Sequence, residues 1–113
     1  MRVVLDRRDV LYAIFVLARE TRGREVTLTT KRVRSVLSRF YPHIMRYISS
    51  QQIGFILSYL AHFGVLRIIR WRNNKPIYEV NPKIIAIARA SSTFEEFLDA
   101  INDFIARRCI ANE

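Results

Sequence analysis

The sequence predicts a mainly α-helical domain with one small β-hairpin, an α+β arrangement. Three observations predict it. Apolar residues recur at three- and four-residue spacing in several separate stretches, which is the signature of one-sided helices. One stretch, Val65 to Val80, turns instead to branched apolar residues on either side of Arg72-Asn73-Asn74-Lys75, which suits two strands and a tight turn. The chain has 113 residues and half of them are apolar, enough for one core and too few to expect two. Trp71 and the several Tyr and Phe are expected to add to a packed interior.

The elements follow in order. Asp6 can cap a first helix, with Asp9 three residues on beside the helix dipole. Val10, Leu11, Ile14, Phe15, Leu17 and Ala18 give that helix a wide inner face, and Glu20-Thr21-Arg22-Gly23 ends it. Glu25-Val26-Thr27-Leu28 reads as a short strand. Thr29 or Thr30 caps a second helix with an inner stripe of Val33, Val36, Leu37 and Phe40. Pro42 interrupts it. In the connection 42–48, Ile44, Met45, Tyr47 and Ile48 are expected to pack down.

Ser49 or Ser50 caps the next helix, about 50–63, whose inner face is Ile53, Ile56, Leu57, Leu60 and Phe63. Gly64 can take the left-handed conformation that ends it. The two adjacent Asn at 73 and 74 tolerate the positive φ of a two-residue hairpin turn. Asn81-Pro82 breaks the chain and starts a short helix through Arg89. Thr93 and Glu96 form a capping box for a last helix, Thr93–Ile110, with Phe97, Leu98, Ile101, Phe104 and Ile105 as its apolar stripe.

Helix, Gly, strand, basic turn and strand, with shorter helices upstream, resembles the winged helix-turn-helix superfamily over roughly Asp6 to Val80. The resemblance is one of pattern and rests on no invariant motif. It implies a winged helix-turn-helix domain over 1–81 and a C-terminal helical extension over 82–113. It implies that the helix 50–63 is the recognition helix and that 70–76 is a basic wing. Winged helices also serve as protein-interaction modules.

The distribution of charge is independent of that likeness. The chain carries 19 Lys and Arg against 10 Asp and Glu, a net +9. Residues 21–83 hold 12 basic residues against Glu25 and Glu79, a net +10, while residues 84–113 carry −2. A polyanionic partner fits such an asymmetry, and a merely solvated basic surface is the plain alternative. Sixteen of the 19 basic residues are Arg, a bias reported for some thermophilic families.

Double-stranded DNA is the expected partner, and transcription regulation or chromatin association the expected role. A protein-interaction role in a transcription or replication assembly is the alternative, and RNA binding the third. If the resemblance holds, Lys31, Arg32, Arg34 and Arg39 lie over the phosphate backbone. Gln51 and Gln52 fall in the first turn of the recognition helix, where an amide can bond adenine in a bidentate way. Phe55, Ser58 and Tyr59 share its outward face, unless the two rings belong to the core. Gly54 on that face would allow close backbone approach. Arg70, Arg72, Asn73, Asn74 and Lys75 suit phosphate or minor-groove contact at the wing, or else guard an edge strand by charge. Phe97, Leu98, Ile101, Phe104 and Ile105 are expected as the seam of a homodimer, the alternative being that the helix packs on the first helix of its own chain.

Catalysis finds little support. His43 and His62 are isolated, acids are few, and no Gly-rich phosphate loop is present, so no catalytic residue, metal site, cofactor or small-molecule substrate is expected. The lone Cys109 forms no internal disulfide and has no zinc-finger spacing around it. No apolar run reaches membrane length, and MRVVLDRRD lacks the core of a signal peptide, so a cytoplasmic or nucleoid-associated protein is expected.

Overall fold

The computed structural model describes residues 3–111. Met1, Arg2, Asn112 and Glu113 lie outside them, and with them the outer ends of the two expected segments and the start of the MRVVLDRRD stretch. The element order is α1 (Arg7–Glu20), β1 (Thr27–Leu28), α2 (Thr30–Phe40), α3 (Pro42–Met45), α4 (Ser50–His62), β2 (Leu66–Arg72), β3 (Lys75–Val80), α5 (Pro82–Ala90) and α6 (Phe94–Ala111). This is a mainly helical α+β chain with one small antiparallel sheet.

Local chemistry sets most of the boundaries. Asp6 and Asp9 close a reciprocal capping box at α1. Thr29 Oγ1 accepts from the Arg32 N–H at 3.1 Å and Ser49 Oγ from the Gln52 N–H at 3.2 Å, each satisfying an orphan donor of its helix. Gly64 ends α4 at φ +81°, a conformation that strains any residue with a Cβ. Asn81 caps α5 and Pro82 takes its first position. At the hairpin, Asn73 and Asn74 have φ of 53° and 62°, the two left-handed residues of a type I′ turn.

The strand order is β1-β3-β2, antiparallel throughout. The two residues of β1 pair with Tyr78 and Glu79 of β3, so the short strand expected before α2 does join the hairpin. β3 is central, and β1 and β2 are the two edges. The register of β2 with β3 shifts between Ile68 and Arg70 at a bulge, which strengthens the local twist.

A single cluster of buried side chains draws on every helix and on the sheet. It includes Ile84, Ile85 and Ala88 of α5 and Phe97, Ile101 and Ile105 of α6. The segment 82–113, expected as an extension, therefore shares its core with the rest. Arginines reinforce the union. Arg89 of α5 donates to the carbonyls of Ala18, Thr21 and Gly23 at the end of α1, and Arg19 of α1 donates to those of Ala88 and Ser91 at the end of α5. Each helix thus neutralises the negative end of the other.

Four expectations about packing need correction. Phe40 is largely exposed, because it lies at the last turn of α2 and packs edge-on against Tyr12, outside the main core. Of the connection after Pro42, only Met45 and Ile48 are buried, while Ile44 and Tyr47 face solvent: a single turn of helix can aim only one side inward. Trp71 is not interior at all but 63% exposed, since the outer half of the hairpin extends past the helices. The stripe on α6 is no free seam either. Phe97 and Ile101 are fully buried, Ile105 nearly so, and Leu98 and Phe104 pack against the same core. α1 and α5 supply the apolar face that the stripe needs, at roughly 1.5–3 kcal/mol per large side chain buried.

Candidate nucleic-acid interface

A groove of about 780 Å³ lies between the starts of α2 and α4 and the tip of the hairpin. Thr29 and Thr30 bring the first turn of α2 to one wall, and Ser50 and Gln51 bring the first turn of α4 to the floor. Arg72, Asn73, Lys75 and Pro76 form the opposite wall. Helix N-termini carry partial positive charge and unpaired N–H groups, so two of them aimed at one groove favour anions. Lys31, Arg72 and Lys75 add three full charges, and no acidic side chain among the described residues lines the groove. Inside it, burial raises the pKa of the Tyr78 hydroxyl, which stays neutral and adds no negative charge there.

Gly54 lies in the floor. A methyl group built there would meet Thr30 Cγ2 at 3.7 Å, an ordinary contact. The packing of α2 on α4 does not demand glycine at this position. Its effect is to leave the floor open.

The structure divides the expected DNA-contacting residues into two sets. Lys31, Gln51, Arg72, Asn73 and Lys75 come together in the groove. Asn74 holds the exposed turn, and Arg70 stands exposed on β2 opposite Ile77. Arg70, Arg72 and Lys75 have no hydrogen-bond or ion-pair partner among the described residues.

The second set is occupied within the chain. Arg34 donates from Nη1 to the Met45 carbonyl at 2.9 Å and from Nη2 to the Ile48 carbonyl at 2.7 Å, clamping the link between α3 and α4. Arg32 Nη1 donates to the Thr27 carbonyl at 2.9 Å, and Arg39 pairs with Glu20 at 3.0 Å. Gln52 Oε1 accepts from the Leu5 N–H at 3.1 Å, holding the N-terminal segment against α4. Tyr59 accepts from Arg7 Nη1 at 2.8 Å and its ring packs on Phe63. Each of these side chains has a partner within the chain, part-buried for Arg34 and Gln52 and exposed for Arg32, Arg39 and Tyr59.

Phe55 and Ser58 project from α4 into solvent, and Phe55 is 78% exposed. Phe55 borders a second, shallow hollow with Val4, Ile56 and Gln52, and Gln51 lies on the edge of both hollows. Sequence reasoning missed the contribution of the helix starts at Thr29, Thr30 and Ser50 to the groove, and it missed that Trp71, outside the groove lining, is exposed. For Trp71 a signal was present. A tryptophan between Arg70 and Arg72, one step from a hairpin turn, lies too far along the hairpin for the core to cover it.

Among the described residues no group of His, Cys, Asp and Glu could hold a metal ion, and no helix is long and apolar enough to cross a membrane. No family model, curated protein or solved structure matches this chain.

Proposed function

We propose that this chain is a winged helix-turn-helix protein that binds double-stranded DNA, with α4 as the recognition helix and the β2–β3 hairpin as the wing, acting as a transcription regulator or chromatin-associated factor. The observation that carries the reading is the groove. It joins two helix N-termini to Lys31, Arg72 and Lys75 without an acid among them. The order α1-β1-α2-α3-α4-β2-β3, with β1 paired to the hairpin, supports the same assignment. In this reading the groove residues and Arg70 hold phosphates, and Gln51 is the side chain placed to reach base edges.

The test is duplex binding across a salt series. Four cations on phosphates, Lys31, Arg70, Arg72 and Lys75, give a slope of about −3 to −4 in log affinity against log salt. A chain that fails to bind duplex at low salt, or binds with no salt dependence, overturns the proposal.

A second reading has its own observation. Val4 and Ile44, which line one shallow hollow, and Tyr47 of the α3 region are exposed apolar side chains, with Tyr47 at 67%. They lie apart from the groove and would suit a protein partner. Such binding would be nearly indifferent to salt.

A further inference from the structure

We infer that Trp71 is a stacking platform for an unpaired base, so that the preferred ligand is a duplex carrying a single-stranded end rather than a blunt duplex. The inference rests on the duplex-binding reading above and narrows its ligand. Trp71 is 63% exposed, an unusual state for the largest apolar side chain in a folded protein. It pairs across the hairpin with Pro76, and Pro76 lines the groove. Strand alternation puts Trp71 on the same face of the hairpin as Pro76, next to the groove lining, with Arg72 and Lys75 on the opposite face. Nucleic-acid bases have the flat apolar face that an exposed indole accepts, and Arg70 and Arg72, its neighbours in the strand, put positive charge along the same edge for the phosphate chain.

The surroundings favour a strand of nucleic acid over a strand of protein. β2 is the longer of the sheet's two edge strands, and edge strands invite pairing with another chain. This one carries Arg67, Arg70 and Arg72 within six positions and a bulge beside Ile69. Like charge and a broken register both oppose a second copy of the same strand. From Val65 to Tyr78 the chain has no acidic residue, so nothing repels a phosphate chain running along this edge. A paired duplex hides its base faces, whereas an overhang presents them.

Trp71 is the only tryptophan of the chain, so its emission reports on the site directly. The probes are a blunt duplex, the same duplex with a short oligo-dT overhang, and the same with an oligo-rU overhang, each titrated by anisotropy and by tryptophan fluorescence. One stacked base should tighten binding by about tenfold and quench the emission, with at least one of the overhangs and not with the blunt duplex. The overhang that binds more tightly identifies the sugar. Trp71→Ala should erase the difference between overhang and blunt probes while leaving blunt-duplex affinity unchanged, and Trp71→Phe should retain part of it. Equal affinity for all three probes with unchanged emission overturns the inference and leaves duplex binding standing. So does a Trp71→Ala variant that loses blunt and overhang binding equally. A wild type that binds none of the probes overturns both.

Discussion

The helix α2 and the β2–β3 hairpin look alike in sequence and differ in structure. Each carries a cluster of basic residues: Lys31, Arg32, Arg34 and Arg39 on one, Arg67, Arg70, Arg72 and Lys75 on the other. On α2 the three arginines are taken up by the Thr27, Met45 and Ile48 carbonyls and by Glu20, and only Lys31 turns to the groove. On the hairpin, among the described residues, only the Arg67 side chain is paired, with Glu79 at 3.1 Å. A guanidinium presents five donors in a fixed fork, so it serves equally well to tie off carbonyls at a helix end or to hold a phosphate. Which task it performs depends on whether unpaired carbonyls lie within its reach. At the ends of α3 they do. At the tip of a two-residue turn the backbone groups are paired in the ladder, and the cations are left to solvent or a ligand.

The strongest test of that division is Arg34. Replacing it by Met keeps the apolar stem, removes the guanidinium donor from the Ile48 carbonyl and leaves the Met45 carbonyl with the Ile48 N–H alone. Two charge-assisted hydrogen bonds of partly buried character should cost about 2–3 kcal/mol, read as a lower midpoint in urea unfolding. The salt slope of duplex binding should not move. A variant of unchanged stability with a flatter salt slope would place Arg34 on the ligand and collapse the distinction between the two regions.

The hairpin should respond in the opposite sense. Among the described residues the side chains of Arg72 and Lys75 have no hydrogen-bond or ion-pair partner, so changing both to Ala should leave the unfolding midpoint almost in place. Two lost phosphate contacts should flatten the salt slope by about 1.8 units and weaken binding by about 2 kcal/mol near physiological salt, for every duplex alike. If affinity survives the double change, the groove is not where the duplex lies.

Much of the fold was legible because its signals are local. Asp6, Thr29, Ser49, Gly64, the Asn73-Asn74 turn and Asn81-Pro82 each act on backbone within a few residues, and each stands where the sequence predicts it. The division among the arginines was not legible. Arg34 reaches carbonyls 11 and 14 residues away, and Arg89 reaches carbonyls 66 to 71 residues away. Such partners depend on how helices cross, which periodicity does not encode. The same limit explains the α6 stripe. An amphipathic face shows that something will cover it, and only the packing shows that α1 and α5 do so. For the site, the residue types were readable and their neighbours were not. Lys31, Gln51, Arg72, Asn73 and Lys75 meet in one groove, while Gln52, Arg32, Arg34 and Arg39 turn back to the protein.

The finest version of the comparison is between two adjacent residues of one type. Gln51 and Gln52 both occupy the first turn of α4, and 100° of helical rotation separates their side chains. That rotation aims Gln51 into the groove and Gln52 back toward Leu5, whose N–H it binds at 3.1 Å. Gln52→Ala should therefore cost about 1 kcal/mol of stability, the worth of one partly buried hydrogen bond, with base preference unaltered. Gln51→Ala should leave stability alone and remove about 1 kcal/mol of discrimination, the lower end for a single amide against adenine. The pair is read out by urea unfolding and by selection from a random duplex pool, performed on both variants. Should Gln52→Ala change the selected sequence and Gln51→Ala leave it intact, the groove would be a phosphate seat alone. Base reading would then pass to the outer face of α4, where Phe55 and Ser58 stand free.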